Sequence, residues 1–450
     1  MFEGFGVPER SLDSQEFPST SGAPTLLLRL LKAAQSVRWM FAVALLFRVA
    51  MAVPNVPNNT APVENQWVLD TLSIEDHWAF GGEMGHIGRS LAEGHGFANP
   101  LYEPTGPTAE MAPVYPFLCA IAMKLFGKYS AGAAFFMLSL NSLFAAITCF
   151  PVYWLARGLF DERIAMICGW TWAWFPYSIH LGIDRIWENT LSCMIAAFIW
   201  WLTCELARSR RLRDWLLWGA LWGAQGLSSP VVLGTLPFLG TWLVVRWIKL
   251  RHAWFKPALA SALVFLAITA PWTIRNYEVF HRLVPFRDNF WLELHVGNNG
   301  DTSIPEPHYS AHPFRNAKEY AQWMKLGEIG YMDAKKVETL NFIRSHPGFY
   351  ATIVVRRIVY MWTGYWKRGD LINVAFNGPM TILMIMGFVY AWRNGKGRDV
   401  MPLLIAIIVF PIPYYITHAT LAYRHPIDPL ILILMCYGIV AWRRAHAAAR

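Results

Sequence analysis

The chain has 450 residues, of which 55% are hydrophobic and only 15% charged, and a soluble domain could not bury so large an apolar fraction. The formal net charge of +9 does not indicate a nucleic-acid partner, because the Lys and Arg residues form short clusters between apolar runs and no single basic domain or stripe. The composition predicts a polytopic membrane protein, whose 23 Trp and 17 Tyr suit the boundary between lipid and water.

The start of the chain, residues 1–38, is predicted to be a cytoplasmic tail. Residues 1–23 are polar and rich in Ser, Pro and Glu, which is not typical of a cleavable signal. The first apolar run is therefore expected to act as an uncleaved membrane anchor.

Ten apolar runs follow that are predicted to be membrane-spanning helices, for which about 20 residues suffice and shorter runs are tolerated. They are 39–53, 131–155, 164–180, 190–207, 215–227, 231–247, 257–271, 371–392, 401–417 and 429–442. The predicted fold class is all-α, with a transmembrane domain over 39–442 and a cytoplasmic tail at 443–450.

Basic residues between the runs predict the orientation, because short cytoplasmic loops retain Lys and Arg. The clusters at 208–213, 246–256 and 393–398 all fall on one side, together with both termini. That side is predicted to be the cytoplasm. The opposite, outer side then receives two long connections, 54–130 and 275–370.

Two further apolar segments are predicted to lie along the outer interface without crossing the membrane. Segment 349–362 carries Arg356 and Arg357 at its centre, and counting it as a span would place the basic cluster 393–398 on the outer side. Segment 113–126 is short and opens with two prolines close together.

The first outer connection contains a short predicted helix whose first turn includes Glu83, because Ile87 and Leu91 recur after it at helical spacing. A carboxylate in a first turn commonly stabilises the helix N-terminus, and this structural role is one interpretation of Glu83. The other interpretation is catalytic and depends on the surrounding motifs.

Several motifs in this chain resemble those of a known superfamily. After Glu83 come Gly-His-Gly-Phe at 94–97 and Pro-Val-Tyr-Pro at 113–116, then Pro-Trp-Thr-Ile-Arg-Asn-Tyr at 271–277 and Tyr-Arg-His-Pro-Ile-Asp-Pro at 423–429. In this order they resemble GT-C glycosyltransferases of the protein mannosyltransferase and aminoarabinose transferase type, including a bacterial subset. The resemblance implies a GT-C fold in a bacterial cytoplasmic (inner) membrane.

One departure from the family pattern concerns the catalytic base. Better-known members have an Asp-Glu pair about one turn before the position of Glu83, where this chain has Phe80 and Gly81. Glu75 and Asp76 therefore remain alternative candidates for the base.

The resemblance implies an inverting transfer, in which an acceptor hydroxyl attacks the anomeric carbon of a polyprenyl-phosphate sugar and the lipid phosphate leaves. The acceptor can be a glycan, a lipid or a protein. Such a reaction needs a carboxylate within about 3 Å of the hydroxyl, and Glu83 is the candidate. A short outer loop, 184–188, adds Asp184 and Glu188, and Glu188 is expected to orient the acceptor. The structural alternative is that this segment is an ordinary hydrated loop between two helices.

Cationic side chains are expected to hold the departing phosphate, and Arg275 and Arg287 are the leading candidates. Arg48, near the outer end of the first span, is a further candidate, because an ionisable group there needs a partner. For Arg275 and Arg48 the alternative is ordinary snorkelling to the interface. The remaining candidate substrate ligands are Arg185, His86, Tyr115, Arg424 and His425.

No cofactor is predicted, and a divalent metal is left open without being indicated. His86, His95 and His425 fall on the outer side but lack metal-ligand spacing, and the six cysteines form no CxxC pair. The alternative function is a transporter or flippase for a lipid-linked sugar, which would place polar residues near the membrane midplane. A scaffolding role is disfavoured by the Gly-rich, acidic first outer connection.

Overall fold

The structure is a computed structural model that describes residues 36–60, 80–101, 105–303, 305–306, 309–366 and 370–448. The alternative bases Glu75 and Asp76 lie outside these described residues, as does nearly all of the predicted N-terminal tail.

The described residues are almost entirely helical, and their strand-like pairing is a single bridge between Ala98 and Pro107. Short 3-10 segments occur between some of the α-helices. The α-helices are α1 (Val37–Ala52), α2 (Glu83–Glu93), α3 (Val114–Phe126), α4 (Ala131–Ile147), α5 (Cys149–Leu159), α6 (Glu162–Ala173), α7 (Pro176–Ile183), α8 (Asn189–Leu206), α9 (Leu212–Ser228), α10 (Leu236–Lys249), α11 (Phe255–Phe280), α12 (Phe290–Gly297), α13 (Ala317–Ser345), α14 (Pro347–Thr363), α15 (Leu371–Arg393), α16 (Gly397–Val409), α17 (Ile412–Ile416) and α18 (Asp428–Ala448).

Among the described residues, eight helical stretches are long and apolar enough to cross a membrane. They are Val37–Asn55, Ala131–Leu159, Asn189–Leu206, Pro230–Lys249, Phe255–Phe280, Leu371–Arg393, Gly397–Ile416 and Leu421–Ala447. Each matches a span predicted from the sequence, which confirms an all-α polytopic membrane protein.

The other two of the ten predicted spans are helical but are not among the eight candidate spans. Run 164–180 is divided between α6 and α7, because Pro176 cannot donate a backbone hydrogen bond and disfavours helix at the residue before it. Run 215–227 corresponds to α9, a helix of 17 residues. Neither run contains a continuous helix as long as those eight stretches, which accounts for the difference between ten and eight.

Two helices extend beyond the predicted spans. Helix α11 continues through Pro271 to Phe280 and ends at His281, whose φ of 51° is left-handed. Helix α18 continues to Ala448. A proline removes only one helical hydrogen bond, and an Ala-rich sequence favours helix.

The two segments predicted to lie on the outer interface are α3 and α14. Helix α3 is apolar but has only 13 residues, and α14 is not among the eight candidate spans. In α14, Arg356 is exposed beside the Trp366 ring, whereas Arg357 is buried and donates to the side chain of Asn298. The burial of Arg357 ties this helix to the outer connection.

The outer connections have a small apolar core of their own, which positions the candidate site. It includes Trp323 and Tyr331 of α13, Leu292 of α12, and Leu101 from the first connection. Because the two connections share this core, residues far apart in sequence come together above α8 and the start of α18.

Candidate active site

Glu83 lies in the first turn of α2, where the first outer connection meets the short loop 184–188. Gly81 and Gly82 before it have φ values of 83° and 55°. A Cβ atom at Gly81 would lie 2.6 Å from the backbone oxygen of Ile186, so only glycine permits this close approach. The contact brings Glu83 near Glu188, which follows Ile186 by two residues.

The environment of the Glu83 carboxyl is buried and acidic. Burial raises the pKa of Glu83 to about 7, with further raising by Glu293 and Glu188 and a lowering contribution from Arg287. Oε1 of Glu83 lies 3.8 Å from Nε2 of His312. A carboxyl group with a pKa near neutrality has the property that a general base requires at physiological pH.

The neighbouring imidazole of His312 does not supply a positive charge at neutral pH. Burial lowers the pKa of His312 to about 4, and the positive charge of Arg315 contributes. The His312 ring is therefore neutral at pH 7.

A chain of polar contacts runs from Arg287 through Glu293 to His418. Nη2 of Arg287 lies 3.7 Å from Oε1 of Glu293, and Oε2 of Glu293 lies 2.6 Å from Nε2 of His418. Burial alone would raise the pKa of Glu293, but the hydrogen bond with His418 and the charge of Arg287 lower it to about 2. Glu293 is thus ionised and holds Arg287 and His418 in defined positions.

Arg287 retains hydrogen-bonding capacity. Its Nε donates to the backbone oxygen of Glu110 at 3.1 Å, and its Nη2 contacts Met111 and Glu293. Within the part of the chain that the structure describes, Nη1 has no acceptor. A guanidinium with an unused donor suits an anionic ligand.

Glu110 and Glu188 are two further buried carboxyl groups of this site. Burial raises the pKa of both, and for Glu110 the neighbouring Glu83 and Asp288 raise it further, well above the usual range. In the described residues, Oε2 of each carboxyl has no hydrogen-bond partner. We call Glu83, Glu110, Glu188 and Glu293, with Arg287, the acidic cluster.

The position of Glu110 is fixed by contacts between the two outer connections. Oε1 of Glu328 accepts a hydrogen bond from the Ala109 amide at 2.6 Å, and the Asp288 amide donates to the Ala109 oxygen at 3.1 Å. Burial raises the pKa of Asp288 to about 6, against the lowering effect of the positive charges of Arg287 and Arg282. These acids lie behind Glu110 and position its segment.

Arg275, a leading phosphate candidate, contacts the protein itself. Its Nη1 and Nη2 donate to the backbone oxygens of Thr108 and Phe97 at 2.7 and 2.8 Å. The guanidinium also lies 5.1 Å from the centre of the Trp272 ring. These contacts assign Arg275 to holding the first outer connection, at the segment that leads into Glu110.

Arg48 is buried within the membrane domain, where it completes a broken helix. Its guanidinium donates to the oxygens of Ala173 at 2.7 Å and Trp172 at 3.1 Å. These carbonyls are at the end of α6, where the helix stops before Pro176, and the Trp172 oxygen also accepts a hydrogen bond from the Phe175 amide at 3.1 Å. The contacts account for the charge without a phosphate ligand or snorkelling.

Arg424 and His425 belong to a buried network with Asp428. Arg424 donates through Nε to Asp428 at 2.9 Å, through Nη1 to the Met361 oxygen at 3.1 Å, and through Nη2 to Asn377 at 2.7 Å. His425 contacts Asp428 at 3.2 Å. The network joins α14, α15 and α18 and occupies all three nitrogens of the Arg424 guanidinium, whereas the buried Nε2 of His425 has no hydrogen-bond partner among the described residues.

The other predicted site residues have contacts within the protein. Asp184 and Arg185 form a pair at 3.1 Å, and the Arg185 side chain is 48% exposed, so this pair lies at the surface. Tyr115 is buried and donates to Asn141 at 2.9 Å, which joins α3 to α4. His86 lies one turn after Glu83 against Phe314, and burial lowers its pKa to about 4.

Sequence reasoning missed Glu110, Glu293, His312 and His418. Glu110 stands three residues before a recognised proline motif, and His418 directly follows a predicted apolar run; both were available signals. Glu293 and His312 have no such signal, because only folding brings them near Glu83.

Within the described residues, no group of three or more His, Cys, Asp or Glu residues has a geometry that could hold a metal ion.

Comparison with known proteins gives one family match. Residues 110–274 match the model of the dolichyl-phosphate-mannose-protein mannosyltransferase family. No curated protein sequence matches the chain.

Two solved structures are among those similar to this chain. One is the oligosaccharyltransferase AglB from Archaeoglobus fulgidus, in complex with an inhibitory peptide and a dolichol-phosphate; identity is 16%, coverage is 92% of this chain and 52% of that chain, and the TM-score is 0.48. The other is ArnT from Cupriavidus metallidurans bound to undecaprenyl phosphate, with 12% identity, 95% and 80% coverage, and a TM-score of 0.38. The chain spans about half the length of AglB. The family match, which begins at Glu110 and includes Glu188, confirms the resemblance to the GT-C glycosyltransferases that the motifs indicate.

Proposed function

We propose that this protein is an inverting glycosyltransferase of the GT-C type, which transfers a sugar from a polyprenyl-phosphate donor to an acceptor hydroxyl. The observation that carries the proposal is the buried carboxyl of Glu83, whose pKa is raised to about 7 beside Arg287. The lipid phosphates named for AglB and ArnT support a donor of this class. The reaction site is assigned to the outer face of a bacterial inner membrane, with both termini in the cytoplasm.

In the proposed reaction, Glu83 accepts the proton of the acceptor hydroxyl as the oxygen bonds to the anomeric carbon. The bond between that carbon and the phosphate oxygen breaks, and the electron pair leaves with the lipid phosphate. A base with a pKa near the working pH is suited to this proton transfer.

Arg287 is proposed to stabilise the departing phosphate. Glu293 keeps the guanidinium in place, and its Nη1 remains available for a phosphate oxygen. Donors fixed before the reaction stabilise developing charge without a reorganisation cost, which is why a positioned guanidinium is effective here. Glu188, with a free buried oxygen, is proposed to orient the acceptor.

The test is the Glu83→Gln variant, which keeps the side-chain shape but cannot accept the proton. We expect transfer from a radiolabelled polyprenyl-phosphate sugar to fall at least about a hundredfold, as is typical for loss of a general base. The matched control is Glu93→Gln at the other end of α2. The Glu93 carboxylate lies 2.6 Å from the Lys128 ammonium group and is not part of the acidic cluster. Full activity of Glu83→Gln would exclude Glu83 as the base.

A transporter would behave differently in the same preparations. Flux of a lipid-linked sugar across proteoliposomes, without acceptor and unaffected by Glu83→Gln, would favour the flippase alternative. Transfer that needs both acceptor and Glu83 would favour the enzyme.

A further inference from the structure

A groove of about 340 Å³ lies between α6 and α18, away from the acidic cluster. Its wall is apolar along most of its length, with Ile167, Met435 and Ile439 among the lining residues. One end is basic, where Arg163, Arg443 and Arg444 line the opening. A groove with an apolar wall and a cationic opening suits an amphipathic, anionic ligand.

The ends of the groove are defined by the two helices. Arg163 is in the first turn of α6, whereas Arg443 is near the end of α18, so the antiparallel helices place these charges together. About 12 Å deeper along α6, by the helical rise per residue, Thr171 accepts a hydrogen bond from Cys436 at 3.7 Å. This contact joins the helices at the inner end of the groove.

The basic opening of the groove has more positive than negative side chains. Arg444 contacts Asp161 at 3.3 Å. In the described ranges of the chain, neither Arg163 nor Arg443 has a carboxylate within ion-pair distance. Both side chains are exposed, so the opening has an excess positive charge next to a helix that is apolar enough to cross a membrane.

We propose that this groove is a binding site for an anionic glycerophospholipid, with the phosphate at Arg163 and Arg443 and an acyl chain against Ile439. Arginine forks bind phosphate oxygens in a bidentate manner, and basic pockets between membrane helices attract anionic headgroups. A free phosphate ion would leave the apolar wall unused. The site is independent of the proposed transfer reaction, because it lies at the far end of α18 from the His425 network.

The first test compares lipid binding in native mass spectrometry and in detergent titrations. The wild-type protein is expected to retain dioleoyl phosphatidylglycerol in preference to dioleoyl phosphatidylcholine. The double variant R163Q/R443Q should bind phosphatidylglycerol about thirtyfold more weakly, because each basic side chain near an anionic headgroup contributes on the order of a factor of five.

The matched control is R210Q/R211Q, which removes two charges from exposed arginines outside the groove. We expect it to bind phosphatidylglycerol like the wild type. Equal loss in both double variants would overturn the proposal, because the effect would then be general surface attraction. Preferential retention of a polyprenyl monophosphate would also overturn the assignment to a glycerophospholipid.

A second variant tests the apolar wall without changing any charge. Ile439→Trp fills the groove and should prevent retention of phosphatidylglycerol, whereas monodisperse elution and the melting temperature should stay near those of the wild type. Unchanged phosphatidylglycerol binding in this variant, or tight binding of glycerol 3-phosphate alone, would show that no acyl chain occupies the groove and would overturn the proposal. Because activity is not the readout, failure of this proposal is distinguishable from failure of the glycosyltransferase assignment.

Discussion

The acidic cluster and the Arg424 network are both buried and both combine arginine with carboxylates, yet their hydrogen bonding differs. Every guanidinium nitrogen of Arg424 has an acceptor: Asp428, Met361 or Asn377. In the acidic cluster, several carboxyl groups surround a single arginine, and Oε2 of Glu110 and of Glu188 is buried without a partner among the described residues. Complete pairing of the guanidinium indicates a structural role for Arg424, and incomplete pairing with shifted pKa values indicates that the acidic cluster is a functional site.

The largest expected effect tests the structural side of this comparison. Arg424→Gln leaves Asp428 buried without its cationic partner, so the free energy of unfolding should fall by about 3 to 5 kcal/mol, as when one member of a buried ion pair is removed. Thermal unfolding in detergent measures the change. Asp428→Asn added to this variant should restore part of the stability. If Arg424→Gln left the melting temperature unchanged but weakened binding of the sugar donor, Arg424 would be a substrate ligand, as predicted from the sequence.

The second largest effect tests the functional role of the acidic cluster. Arg287→Gln should lower kcat/KM about 10² to 10³-fold, because a positioned donor to the departing phosphate is lost. Melting should change little. Arg282→Gln is the control, since its guanidinium pairs with exposed Asp333 at 2.7 Å outside the acidic cluster. Equal kinetic losses in the two variants would remove the special role of Arg287.

An intermediate effect is expected at Arg275, which differs from Arg287 in having its donors occupied. Arg275→Lys keeps the charge but loses the paired contacts to Thr108 and Phe97, which should lower the free energy of unfolding by about 1 to 3 kcal/mol. The KM for the donor should stay near the wild-type value if Arg275 only positions the loop. A large rise in donor KM with normal melting would support the phosphate-ligand prediction made from the sequence.

The smallest effect concerns pH. Glu83 must be ionised to accept a proton, so kcat/KM should fall about tenfold per unit as the pH decreases below about 7, while Glu293, with a pKa of about 2, stays ionised. The measurement is a kcat/KM profile between pH 5 and 8, with melting followed over the same range. A flat profile in protein that remains folded would contradict the assignment of Glu83 as the base.

The sequence was informative about the membrane domain because span length and apolar composition are local properties. It was least reliable at prolines: Pro176 divides a span that was predicted to be continuous, whereas Pro271, at which a predicted span ended, lies within α11. The same residue type has opposite outcomes because the surrounding packing decides whether the helix resumes in the same direction.

Composition, periodicity and the ordered motifs determined that this is an all-α membrane protein resembling GT-C enzymes, and that Glu83 begins a helix between the first two membrane spans. Only the tertiary structure decided which charges meet. It brings Glu293 and Arg287 to Glu83 and commits Arg48, Arg275 and Arg424 to protein contacts. The physical reason is that burial and long-range pairing set the state of a charged group, and neither can be read from its neighbours in sequence.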